Sequence, residues 1–256
     1  MKLVFVFVFS MMVVVTVSAQ SLHHKDDLST NAILAITSAF PEVARWPESR
    51  PSYSRYWGEG FLTGSLKKHH AIVVSFRDDD LNLHSALVVL ASTSEDEHEV
   101  DLTQESDFVV VSRSRLWLDL IGKAEGVDAT SVFARIENGD IFLDSNDFHG
   151  CCQQVNYSHQ FKKSGKAFLL IGESNRFVRT DEKVERVIEE PSGCNVNLLK
   201  NQKIAWTNIK HRYREKKSNA FKRRPKLTRL DEFLLFEKPR HWGGISSMNL
   251  CRSIGK

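Results

Sequence analysis

The chain has 256 residues, 41% of them hydrophobic and 26% charged, and a formal net charge of +3. That is the composition of an ordinary globular protein rather than a disordered chain, and the length suits one large β domain or two small ones. The modest net charge, however, hides two strongly charged stretches of opposite sign.

Lys2 is followed by an apolar run from Leu3 to Val17, interrupted only by Ser10 and Thr16 and closed by Val17-Ser18-Ala19. A basic start, a short apolar stretch and small residues where a signal peptidase reads are the layout of a cleavable signal peptide over residues 1–19. The run is too short for a membrane span, which needs about 20 apolar residues, and no later segment approaches that length. The expected location is therefore secreted or periplasmic. In that oxidising setting Cys151, Cys152, Cys194 and Cys251 read as disulfide formers. A bond between the adjacent Cys151 and Cys152 would close a strained ring, so the expected pairing sends one of them to Cys194 and the other to Cys251. Zinc spacing, with two residues between cysteines, is absent although His149 lies close by.

Residues 20–57 read as a short helix followed by a Pro/aromatic segment. Asp27-Leu28-Ser29-Thr30 caps a helix through Ala32, Ile33, Ala35 and Ile36, and Pro41, Pro47 and Pro51 then break the pattern. Trp46, Tyr53, Tyr56 and Trp57, interleaved with the prolines, read as a lid on the core ahead of a binding platform. From residue 58 the period becomes that of strands, and 58–256 reads as a single β-meander domain, with halves at 58–145 and 146–256 as the alternative. Gly58–Thr63, Ala71–Phe76, Leu83–Ser92 and Phe108–Ser112 are short apolar or β-branched runs separated by polar turns, among them Asp78-Asp79-Asp80 and Glu95-Asp96-Glu97. Leu116–Ile121 is ambiguous. Val132–Ile136 and Ile141–Leu143 flank Asn138-Gly139, the strongest hairpin signal in the chain. Further hairpins are expected around Lys162–Lys166 and Lys200–Gln202, with a last strand at Glu232–Phe236. Roughly ten strands at this spacing describe an all-β, antiparallel meander with a short N-terminal helix.

The block from Tyr56-Trp57-Gly58-Glu59-Gly60-Phe61 to Val89 resembles the meanders of uncharacterised exported bacterial proteins related to FG-GAP and VCBS repeats. So does Phe161–Gly172 followed by the Asn195–Ile204 hairpin. The resemblance implies an incomplete propeller-like or stacked-sheet architecture and no established activity. The acidic calcium loop of those repeats is missing, so calcium binding is not implied.

Charge is the clearest functional signal. Lys210 to Arg229 holds ten Lys or Arg and one acid, Glu215, whereas Asp78 to Asp107 holds ten acids and no Lys or Arg. The basic stretch lacks apolar periodicity, contains Pro225, and reads as a long exposed loop. Its Lys210, Arg212, Arg214, Lys216, Lys217, Lys222, Arg223, Arg224 and Lys226 are the candidate binding residues for an anionic partner, with Tyr213 and Phe221 among them. The competing reading is a solvated loop neutralised by the chain's own acidic turns. No nucleophile elbow, zinc-holding histidine pair or phosphate loop occurs. If the chain is an enzyme, Asp147, His149 and His159 flanking one strand are the place to look. Asn156-Tyr157-Ser158 is a glycosylation sequon. No metal or cofactor is assigned.

The expected function is an exported non-enzymatic binding protein for a protein or anionic polymer, ahead of nucleic acid, and in its most specific form an inhibitor or immunity-type protein. The alternatives are a secreted hydrolase with a site assembled from distant loops and an envelope structural component.

Overall fold

The computed structural model describes residues 28–46, 48–53, 57–93, 100–119, 131–149, 153–181, 186–209, 212–221 and 226–235. The signal-peptide segment, Lys210, Lys222, Arg223, Arg224, Cys151, Cys152, Cys251, the turn at residues 95–97 and Tyr56 lie outside them.

Helix α1, Thr30–Ser38, starts where expected. The Ser29 hydroxyl accepts the Ala32 N–H at 3.2 Å, filling one of the donors left open in a first turn. Ala32 and Ile36, one turn apart, are fully buried, and the Ser29 N–H donates to the Leu102 carbonyl at 2.8 Å, which anchors the helix start.

A first antiparallel sheet holds β1 Glu48–Tyr53, β2 Gly58–Phe61, β3 Lys68–Arg77, β4 Leu83–Ser92, β5 Phe108–Arg113 and β6 Trp117–Asp119. The β3–β4 hairpin is its centre. Strands β1 and β2 divide the free edge of β3, while β5 and β6 divide that of β4. Residues 71–74 and 85–92 are buried without alternation, which is why these two strands read as continuous apolar runs. Strand β1 was not expected, because Pro51 lies inside it. Proline has no N–H for a ladder, and β1 tolerates it as an edge strand whose register shifts between Glu48 and Ser52. Trp57 is buried, and Trp46 and Tyr53 pack against the core, so the aromatic residues described here serve as its lid.

The second sheet is a meander in strict chain order: β7 Ser131–Glu137, β8 Asp140–His149, β9 Gln153–Ser164, β10 Ala167–Asp181, β11 Arg186–Asn197, β12 Gln202–Ile209 and β13 Arg212–Asn219. Asn138 (φ 52°) and Gly139 (φ 80°) make the two-residue turn between β7 and β8, with both central residues at the positive φ such turns require. The fold is all-β and antiparallel, with thirteen strands among the described residues. Two expectations are corrected. Eight of the twenty residues of the basic stretch, Arg212–Asn219, are not loop but strand β13. Of the strand expected at Glu232–Phe236, the described residues Glu232–Leu235 are not strand: a 3-10 turn at Leu230–Glu232 leads into an irregular stretch to Leu235. There Leu230, Phe233 and Leu235 are buried, a 3-then-2 spacing that fits neither ladder nor helix.

The sheets meet where β2 crosses β7. A methyl built on Gly58 would overlap the backbone of Arg135 and Ile136, so only glycine allows this approach. The Thr63 N–H donates to the Gly139 carbonyl at 3.1 Å beside the crossing. One hydrophobic cluster runs from Leu28 and Ile36 through Leu87 and Leu90 to Phe161, Leu170 and Leu235. The segment 226–235 fastens both sheets. Leu170 N–H donates to Thr228 O at 2.8 Å, Arg115 N–H donates to Phe233 O at 3.2 Å, and the Phe233 ring meets Phe161 edge-on at 5.0 Å.

Candidate functional site

Strand β13 ends the second sheet and pairs only with β12 among the described residues. Its register sets Arg214 opposite Thr207 and Lys216 opposite Ala205 on one face. Tyr213, Glu215 and Lys217 stand opposite Asn208, Trp206 and Ile204 on the other. All side chains from 213 to 219 are exposed. Glu215 gathers its own face, accepting from the Tyr213 hydroxyl at 3.3 Å and pairing with Lys217 at 3.4 Å. Among the described residues no carboxylate pairs with Arg214 or Lys216. Arg214 and Lys216, with Cα atoms about 6.8 Å apart (twice the ~3.4 Å rise of a strand), therefore border a row of backbone donors and acceptors with no partner strand among the described residues.

The chain leaves β13 under control of the β11–β12 turn. Asn201, at φ 51°, accepts the Phe221 N–H through its side-chain oxygen at 2.9 Å and donates its amide to the Phe221 carbonyl at 3.0 Å. The Ala220 N–H adds a bond to the Asn201 carbonyl at 3.1 Å. These three bonds fix where the rest of the basic stretch begins. Lys226, beyond residues 222–225, is exposed, and Arg212 occupies the first position of the strand.

The residues singled out for catalysis are kept apart by the sheet register. His159 pairs with Leu143 on β8, whereas Asp147 lies four and His149 six positions farther along that strand. At ~3.4 Å per residue these are separations of about 14 and 20 Å. His159 is instead joined by a residue that spacing did not suggest. Glu173 on β10 is its direct partner, Val196 follows on β11 and Lys203 on β12, so the three ionisable groups stand in one row on the core-facing side. Burial holds His159 down at about 4 despite a hydrogen bond to the Leu143 backbone, and Phe233 lies T-shaped against its ring at 5.3 Å. Burial pushes Glu173 up to about 7 and Lys203 downward. Neither a motif nor a charge run marks Glu173. The apolar alternation of Phe168 and Leu170 would set Glu173 on the opposite side, and the register shift between Leu170 and Gly172 is what turns it toward the core.

A cleft of about 450 Å³ opens elsewhere, lined by Glu42, Arg113, Ser114, Arg115, Leu116 and Asp231. Its charges are largely matched internally. Arg113 donates to Glu42 at 3.0 Å and lies 4.3 Å over the Phe40 ring, and Asp231 holds Arg229 at 2.6 Å. The Ser114 hydroxyl is committed too, accepting the Leu87 N–H at 2.9 Å and donating to the Arg115 carbonyl at 3.0 Å. The cleft is a joint between strand and C-terminal segment rather than an assembled nucleophile and base.

The acidic turn after β3 has a structural role. Asp78 accepts the N–H groups of Asp80 and Asn82 at 3.0 and 2.8 Å and pairs with His84 at 2.8 Å. The His84 hydrogen bond, more than any other contact, draws the Asp78 carboxyl down to about 2. Among the described residues no three His, Cys, Asp or Glu side chains form a group fit for a metal ion. Asn156 of the sequon lies within β9, paired on both sides, and Cys194 lies fully buried on β11. No family model, curated protein or solved structure matches the chain.

Proposed function

We propose that the protein is an exported, non-enzymatic binding protein whose open basic edge takes an extended acidic segment of a partner protein. The supporting observation is β13: an outer edge with no partner strand among the described residues, carrying exposed Arg214, Lys216 and Lys217 on a seven-stranded scaffold. Strand addition at such an edge supplies affinity through backbone hydrogen bonds, and alternate side chains supply selectivity. Arg214 and Lys216, at every second position, match carboxylates repeated at the same spacing. Export rests on the first nineteen residues of the sequence and the inhibitor role on this surface alone.

The test is capture of partners from an extract of the native compartment by the oxidised chain, at low and moderate salt. Expected is one protein partner, weakened by salt and lost when Arg214, Lys216 and Lys217 become serine. A second variant, with Lys222, Arg223, Arg224 and Lys226 changed to serine, tells the strand from the segment after it. Capture unaffected by both variants refutes the reading. Recovery of heparin-like polymer alone, with a steep salt slope, moves the protein to the envelope-component class.

A further inference from the structure

We propose that the partner segment joins β13 as an antiparallel strand bonded to the backbones of Tyr213, Glu215 and Lys217, with acidic side chains at the alternate positions facing Arg214 and Lys216. This names the recognition pattern of the basic edge, and it rests on the reading of that edge as the binding site.

The hydrogen-bonding frame of the edge follows from the pairing behind it. The Ala220 N–H donates to the Asn201 carbonyl at 3.1 Å, one step past the pair Gln202–Asn219. In an antiparallel ladder the bonds belong to every second pair. Ser218, Lys216 and Arg214 therefore direct their N–H and C=O groups at Lys203, Ala205 and Thr207. Those of Tyr213, Glu215, Lys217 and Asn219 point the other way, to the side where no strand pairs among the described residues. All residues from 213 to 219 are exposed, so an incoming strand can reach these groups.

That frame decides which side of the added strand is acidic. Opposite residues alternate between hydrogen-bonded positions, with Cα atoms about 5.5 Å apart, and non-bonded positions at about 4.5 Å, where side chains lie closer. A partner bonded to Tyr213, Glu215 and Lys217 brings its remaining residues to the closer positions, directly across from Arg214, Lys216 and Ser218. The other face is already occupied with itself. Glu215 accepts from the Tyr213 hydroxyl at 3.3 Å and pairs with Lys217 at 3.4 Å. A carboxylate set opposite Glu215 meets a like charge, which destabilises a cross-strand pair. Acids are thus favoured at every second residue and on one side only.

The same frame disfavours a second copy of this chain as the occupant. Two β13 edges paired antiparallel must match their bonded residues with each other, and so their Arg214–Lys216 rows as well. A register centred on Glu215 sets Arg214 across from Lys216 twice, and one centred on Arg214 or Lys216 sets that cation across from itself. The row takes a strand of opposite charge.

The probe for the test is a fluorescein-labelled, amidated peptide, Thr-Val-Glu-Lys-Glu-Val-Thr, titrated with the full chain and read by anisotropy at low salt. Its glutamates face Arg214 and Lys216, and its lysine faces Glu215. N-methylation of both valines removes donors aimed at the edge and should weaken binding about tenfold or more. N-methylation of both glutamates, whose N–H groups point away from β13, should leave binding unchanged. Parallel addition would reverse this pattern, because the acidic residues would then carry the bonded groups. The reversed pattern, an equal response to the two modifications, or no binding of the parent peptide each overturns the proposal. The double variant Arg214→Glu, Lys216→Glu should lose the parent peptide and bind the version with lysines in place of its glutamates. Failure of that exchange also overturns it. Capture of a protein partner that still depends on Arg214, Lys216 and Lys217 would then leave the binding reading standing, whereas loss of that dependence refutes both.

Discussion

Replacing Glu173 by glutamine should make the protein's stability depend on pH in one direction, and replacing His159 should make it depend in the other. In the native chain Glu173 is raised from an ordinary 4.5 to about 7, and His159, its cross-strand partner, is lowered from 6.5 to about 4. A carboxyl raised by folding adds stability in full below 4.5 and loses it as pH climbs through 7. A histidine lowered by folding adds stability in full above 6.5 and loses it as pH falls through 4. At about 1.4 kcal/mol per pH unit of displacement, each effect amounts to about 3 kcal/mol. The two slopes have opposite sign over nearly the same range, so in the native protein they cancel between pH 4.5 and 6.5. Glu173→Gln removes the glutamate slope, so its stability relative to the parent should drop by about 3 kcal/mol as pH falls from 7 to 4.5. His159→Gln removes the histidine slope, so its relative stability should drop by a similar amount as pH rises from 4 to 6.5. Urea unfolding at half-unit steps of pH, with slope and midpoint fitted separately, measures both. The constant cost of substituting a core residue does not matter, since only the pH dependence of the difference is read. A difference between variant and parent that stays flat across this range refutes the argument.

Gly58→Ala should destabilise the protein by about 1–3 kcal/mol or more, because the added methyl strikes the Arg135 backbone, whereas Gly58→Ala and Gly60→Ala together should be worse than either alone. Thermal unfolding of the three variants checks the order. Phe233→Ala removes a buried ring that packs on both Phe161 and His159 and should cost about 3–5 kcal/mol, read as a lower urea midpoint. Ser29→Ala removes the helix cap and should cost about 1 kcal/mol, while Ser29→Asp restores most of it.

The parts of the fold that were legible in the sequence are those where local chemistry and tertiary role agree. The uninterrupted apolar runs of β3 and β4 belong to strands buried on both faces, and Asn138-Gly139 admits little besides a tight hairpin. Ser29 sits one residue before the first turn it caps. Legibility failed where neighbours overrule the local pattern. Strands β10 and β11 continue from Gly172 to Asp181 and from Arg186 to Asn197 through Glu, Arg, Asn and Ser residues whose ladder bonds, not apolar period, hold them extended. Strand β13 has no apolar face at all and is strand only because β12 offers it eight cross-strand partners. The basic residues were therefore found by composition, but their regular spacing along an edge was not. The His159–Glu173 row was invisible for a related reason, since fourteen residues separate its members and only the register unites them.

The clasp formed by residues 226–235 has a consequence for synthesis. These residues follow every described strand of both sheets in the chain, and they supply Leu230, Phe233 and Leu235 to the shared core. While the chain is being made, each hairpin can zip as it emerges, but Phe161 and Leu170 stay unsealed until the clasp arrives. Native packing is thereby deferred until after both sheets have left the machinery that makes them. A product that stops before Thr228 would present this apolar seam to proteases and holdases, so chain completeness is written into the core itself.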